Sequence, residues 1–243
     1  MRFSRSRAGR YAEQQYREGL RAWRVKIRWI LAVVAVPIMV AAIVVLVVDK
    51  HRLSWVAGVF FGGCVCIWLV MRDTPPGYVE NWRDGFEGER KTEKALEPLE
   101  RSGWRIVHDI ESRYGNYDHV AIGPGGVFVL ETKNPTGVVE MREGVPIVQR
   151  RLLAATYSLR KVRGQALGAA WRLHDEITTR TGETGWVQGV VVFWAEFPDG
   201  QAEHAKCVFI HGSQLRAWLE ARPTTLSTTK VEQITAAVTQ LAE

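Results

Sequence analysis

Hydrophobic and polar positions change their pattern twice along the chain. Residues 1–28 are polar and Arg-rich, with enough Ala, Glu, Gln and Leu between 11 and 28 for a partly helical surface segment. Two uncharged runs follow: 30–48 (ILAVVAVPIMVAAIVVLVV), nineteen residues, and 55–71 (WVAGVFFGGCVCIWLVM), seventeen. A helix spans the hydrocarbon core of a bilayer with about 20 apolar residues, about 17 being the lower limit. Both runs are therefore read as membrane-spanning. Only DKHRLS separates them, which predicts a tight antiparallel hairpin over 29–71 that returns the chain to its starting side. Trp29, Trp55 and Trp68 fall near the ends of the runs, where amphipathic rings favour the headgroup region. Residues 72–85 (RDTPPGYVENWRDG) hold two prolines and two glycines and predict a linker.

From residue 86 the pattern becomes globular. FEGERKTEKALEPLERSG, 86–103, is rich in helix formers and closes on Gly103, with Pro98 placed to kink or shorten it. WRIVHDIES, 104–112, reads as a strand. Residues 118–122 and 127–133 form a hairpin, and 137–150 gives one or two shorter strands around Gly144. A long helix over 156–181, a buried strand in 185–197, a short strand in 206–212 and a helix over 213–221 follow. A C-terminal helix within 222–243 starts near Ser227. This order predicts an α/β domain over 86–221 with a mixed sheet flanked by helices.

Charge refines the membrane reading. The net charge of +6 over 243 residues invites a nucleic-acid interpretation, but its position matters more than its size. Residues 1–28 hold nine Arg or Lys against two Glu, leaving 23 bases and 24 acids elsewhere. All the excess is juxtamembrane, as expected from the positive-inside rule and from attraction to anionic headgroups. The expected location is the plasma or inner membrane, crossed twice, with both termini cytoplasmic. A cleaved signal peptide is disfavoured by the 28 polar residues ahead of the first run and the second run behind it. Cys64, Cys66 and Cys207 show no pairing or metal-binding spacing, consistent with a reducing compartment.

The chemistry concentrates in YGNYDHVAIGPGGVFVLETKN, 114–134. With a type II turn at Pro124-Gly125, Ile122 faces Val127 and paired residue numbers sum to 249, which sets Asp118 opposite Glu131. Lys133 projects from the same face by the period of two, as do Val120, Ile122, Val127 and Val129. Two carboxylates ~4 Å apart repel by roughly 4 kcal/mol at an effective dielectric of ~20. Without compensation one of them stays protonated. A divalent cation removes the conflict. Magnesium takes oxygen ligands from one or two carboxylates together with substrate phosphate and water. Lys133 beside it would position or deprotonate a water, or stabilise charge on a phosphoryl oxygen. The bland alternative is a pair of solvated strand-end residues with Asp118 in an Asx turn.

GERKTEKAL, the hairpin and VRGQA together resemble the nuclease-related domain (NERD) family of the PD-(D/E)XK nuclease-like group, over about residues 85–195. The resemblance implies a restriction-endonuclease-like fold. It also implies a Mg²⁺- or Mn²⁺-dependent nuclease acting on nucleic acid, DNA foremost and RNA as the alternative. Carried across by position, Glu89 matches the first-helix glutamate (ahead of Glu93), Asp118 and Glu131 the hairpin acids, Lys133 the lysine and Gln165 the helix glutamine. The backbone carbonyl of Thr132 would join Asp118 and Glu131 at the metal. The proline that often precedes the family glutamine is absent, and Lys161 and Arg163 occupy that approach. His119 follows Asp118 and is expected on the opposite face, as a structural histidine.

Between 144 and 174 lie six bases (Arg150, Arg151, Arg160, Lys161, Arg163 and Arg172) and no acid. Arg160, Lys161 and Arg163, nearest Gln165, are the expected contacts to a nucleic-acid backbone, with a lipid-facing basic surface as the alternative. No base-reading motif is present, so no sequence specificity is expected. Two other readings stay open: a nuclease-derived scaffold at the membrane without turnover, and a membrane sensor working through its basic tail.

Overall fold

The computed structural model describes residues 9–48, 54–112, 115–150, 155–182 and 185–241. The chain divides into two compact units, Glu13–Arg83 and Asp84–Glu243, the latter with the stretch up to Ala12.

In the first unit the polar tail and the first apolar run form one helix, α1 (Arg10–Val48). Arg10–Val44 is long and apolar enough to cross a membrane. The second helix, α2 (Ser54–Asp73), carries a shorter apolar stretch, Gly58–Met71. Among the described residues only one helix meets the length and hydropathy expected of a span, and the intervening residues 49–53 lie outside them. The expected pair of spans therefore reduces to one that qualifies. The Trp23 indole N–H donates to the carbonyl of Met71 at 3.3 Å, joining the polar part of α1 to the far end of α2.

The linker is far shorter than expected. A third helix, α3, runs unbroken from Gly77 to Leu96, so only Thr74, Pro75 and Pro76 are non-helical. The carbonyl of Pro76 accepts from Val79 N and starts the helix. An interior glycine costs a helix only about 1 kcal/mol, which its neighbours outweigh at Gly85. Pro98 acts as anticipated: α3 ends at Leu96 and tightens into a 3₁₀ turn, Glu97–Ser102, closed by Gly103 in the left-handed region.

The second unit is built on a mixed six-stranded sheet. Its strands are β1 (Arg105–Ser112), β2 (Gly115–Gly123), β3 (Gly126–Lys133), β7 (Val187–Phe193), β8 (Gln201–His204) and β9 (Cys207–His211), in the order β1-β2-β3-β7-β9-β8. β3, β7 and β9 are parallel, and the outer pairings are antiparallel. A three-stranded sheet, β4 (Val138–Arg142), β5 (Val145–Arg150) and β6 (Ala155–Ser158), is inserted after β3. The residues expected to begin a helix at 156 instead pair with β5, and the helix itself, α4, spans Val162–Thr181. β8, with its polar sequence QAEH, was not anticipated.

Alternation sorts the side chains onto two faces. Val120, Ile122, Val127 and Val129 pack with Ala169, Leu173 and Ile177 of α4 and with Val231, Ile234 and Val238 of α6 (Thr228–Thr239). Ala121, Phe128, Leu130, Val190 and Val192 face the other way, onto Leu96, Leu99 and the helix α5 (Gly212–Glu220). Each such large apolar side chain contributes about 1.5–3 kcal/mol on full burial. The C-terminal helix, capped by Ser227 as expected, thus shares the core of the domain instead of forming an appendage.

Candidate active site

The hairpin keeps the anticipated register. Gly123↔Gly126, Ile122↔Val127, Ala121↔Phe128, Val120↔Val129 and His119↔Leu130 all pair, although Gly126 (φ 127°) and not Gly125 takes the positive φ of the turn. The ladder stops one pair short of Asp118 and Glu131. There the Asp118 carboxylate accepts the backbone N–H of Thr132 at 2.8 Å. The same happens on the other side. β1 pairs with β2 from Arg105↔Ile122 to His108↔His119 and resumes at Ile110↔Tyr117, skipping Asp109, whose φ is 53°. Asp118 thus sits where its strand has released both neighbours, free of the side-by-side packing that a sheet imposes.

Three further groups come to it. Lys133 donates to Glu131 at 2.7 Å. The Asn116 amide holds the Asp109 carboxylate at 2.6 Å. Glu89 arrives on α3, and the glycine before it explains how: a Cβ on Gly88 would stand 2.8 Å from the Asn134 Cβ and 3.2 Å from the Thr132 methyl. Only a bare backbone lets α3 pass this close to the end of β3. The Thr92 hydroxyl, one turn on, meets the Thr132 hydroxyl at 3.0 Å and accepts the Trp194 indole N–H at 2.7 Å.

Burial and mutual repulsion shape the charges. Burial first, then the charges of Asp118 and Asp109, push Glu89 up to about 8. Asp118 is pushed up to about 7 by burial and by Glu131, against the opposing pull of Lys133 and the Thr132 N–H. One acid of the expected pair is therefore inclined to hold a proton. Burial alone would lower Lys133, but Glu131, Asp118 and Glu89 outweigh it and hold the ammonium above its ordinary range. Lys133 is a cation here, not a base.

Opposite the acids, a cavity of about 720 Å³ is lined by Asn116, Asp118, Glu131, Gln165, Arg172 and the three bases Arg160, Lys161 and Arg163. Glu89 and Lys133 reach the carboxylates from outside that lining. Residues 84–194 match the family model of the nuclease-related domain, NERD. This segment is similar to nuclease-related domains. No curated protein and no solved structure matches the chain.

Within this segment the residues singled out from sequence divide clearly. Asp118, Glu131, Gln165, Arg160, Lys161 and Arg163 share one cavity, with Glu89 and Lys133 coupled to its acids. Among the described residues, no three His, Cys, Asp or Glu side chains converge on a point as a metal cluster would require. His119 lies on the far face, as expected. Its Nδ1 is 2.7 Å from that of His108, and burial, then His108, keep it well below the ordinary histidine range. Of the basic stretch, Arg150 lies over the Tyr157 ring, and Arg151 falls outside the described residues. Asp109 and Asn116 are the site residues to which sequence reasoning gave no role; Arg172 stood among the six bases but not among the expected contacts.

Proposed function

We propose that the domain hydrolyses phosphodiester bonds of nucleic acid, DNA foremost, in a metal-dependent reaction at a membrane surface. The observation that carries this reading is Asp118 at a double break in the sheet, facing a cavity with acids on one wall and cations on the other. The donor set fits a hard divalent cation. Asp118 and Glu131 carry oxygen donors on one cavity, Asp118 is held up in pKa by burial and then by Glu131, and a cation would relieve that repulsion. With the Thr132 carbonyl they would hold Mg²⁺ or Mn²⁺, the remaining positions being left to water and phosphate oxygens. Such an ion supplies charge for the phosphoryl oxygens and acidifies a bound water.

The chain's own residues supply the rest. Lys133 stabilises negative charge accumulating on phosphate while fixing the Glu131 carboxylate. Glu89, the carboxyl most inclined to keep a proton near neutrality, adds no full negative charge beside the metal-binding pair. Gln165 offers an amide at the rim, and Arg160, Lys161 and Arg163 draw in the polyanion without reading its bases. The test is cleavage of plasmid and oligonucleotides by the full chain in detergent with Mg²⁺ or Mn²⁺. Glu131→Gln and Lys133→Ala should each lower the rate by about 10² or more, as expected on losing a charge-stabilising group. Cleavage surviving both substitutions would remove the mechanism, and absence of cleavage with every nucleic-acid form would favour the scaffold reading.

A further inference from the structure

We propose that Arg172 binds a phosphate oxygen of the nucleic-acid strand inside the cavity it shares with Asp118 and Glu131, an inference that rests on the nuclease reading above. Gln165, Ala169 and Arg172 fall on one face of α4 at helical spacing and line the same cavity. Helical side chains lean toward the N-terminus, which here means toward Gln165. The Arg172 side chain does so: its Nη1 lies 3.2 Å from where a Cβ on Gly168 would be, so the guanidinium folds back over a residue that offers no obstruction.

Among the described residues the guanidinium makes no hydrogen bond or ion pair with the protein. Its Nε is buried without a hydrogen-bond partner. Glu176, one turn further along, is paired with Arg180 at 3.7 Å. The neighbouring bases are committed differently. Arg150 lies over the Tyr157 ring, and Arg163 reaches the carbonyl of Gly144 at 3.5 Å. A buried donor on a charged group without an acceptor is costly, and the cost is recovered when an anion enters. The planar fork of arginine matches two phosphate oxygens at once, which a lysine cannot do. Arg172 thus adds a guanidinium to the basic side chains that line the cavity with Asp118 and Glu131.

The experiment measures binding of fluorescein-labelled single-stranded and duplex oligonucleotides to the full chain in detergent. Ca²⁺ replaces Mg²⁺, so that affinity is read apart from turnover. Arg172→Gln should weaken binding about tenfold. It should also flatten the dependence of log affinity on log salt by about 0.7–0.9, the loss of one phosphate contact. Arg216→Gln, removing an exposed arginine paired with Glu220, should change neither. Parental affinity and slope in Arg172→Gln would overturn the assignment. If that variant does not fold, Arg172→Lys carries the test: a several-fold loss at unchanged slope supports the fork, and parental affinity overturns it. Binding without cleavage in Mg²⁺ or Mn²⁺ would remove the nuclease reading alone, whereas failure of the parent to bind any oligonucleotide would remove both.

Discussion

Glu89 and Asp118 are buried acids whose pKa values rise on folding, to about 8 and about 7. The folded state therefore binds protons that the unfolded chain has already released. Stability from these groups is fully present below their unfolded values near 4 and is lost as pH climbs through 7 to 8. His119 works in the opposite direction, since its lowered pKa makes the unfolded chain the better proton acceptor in acid. Comparing a variant with its parent cancels that contribution. Glu89→Gln and Asp118→Asn should each stabilise the metal-free protein at about pH 8.5, by an amount on the order of 2 kcal/mol, with little gain at about pH 5. Thermal unfolding in EDTA at the two pH values measures this, and equal effects at both would refute the charge argument. Added Mg²⁺ should raise the unfolding temperature of the parent at the higher pH and leave Asp118→Asn nearly unmoved.

The helix α3 delivers Glu89 by passing close to β3, and Gly88 is what makes the passage possible. Gly88→Ala brings a Cβ to 2.8 Å from the Asn134 Cβ, an atom that cannot swing aside, so α3 must shift. We expect a destabilisation of about 1–3 kcal/mol together with a fall in cleavage, because the carboxylate moves with the helix. Gly85→Ala meets nothing within 4 Å and should stabilise by up to about 1 kcal/mol with cleavage retained. Unfolding temperature and cleavage rate measured together on the two variants separate the effects. This contrast also marks the limit of what the sequence made legible. Alternation and turn length set the register of β2 and β3 and hence the shared face of Asp118, Glu131 and Lys133. Where the ladder ends was not legible, because it depends on the Asp118 carboxylate capturing the Thr132 N–H and on the left-handed backbone of Asp109 in the preceding strand. For the same reason the short pairing Ala155–Ser158 was read as helix: its strand state comes from β5 alone.

At the scale of the whole molecule, α1 and α2 set how many crossings a membrane reading gives the chain. α1 satisfies the length requirement unaided, whereas the apolar part of α2 is shorter. With one crossing, the basic tail and the nuclease-related domain would lie on opposite sides; with two, on the same side. By the positive-inside rule, the excess charge of residues 1–28 would favour a cytoplasmic tail under either scheme. The Trp23–Met71 hydrogen bond returns the end of α2 to the polar part of α1, the arrangement that two crossings would give. Single added cysteines decide between them. The native thiols are poor reporters: Cys207 is buried with its pKa pushed up to about 12, and Cys64 and Cys66 lie in the apolar part of α2. In sealed vesicles with the cytoplasmic face inward, an impermeant maleimide should label His51→Cys at once. It should reach Ser4→Cys and Thr224→Cys only after lysis. Labelling of Thr224→Cys before lysis, with Ser4→Cys still protected, would establish a single crossing and place the candidate active site outside the cytoplasm.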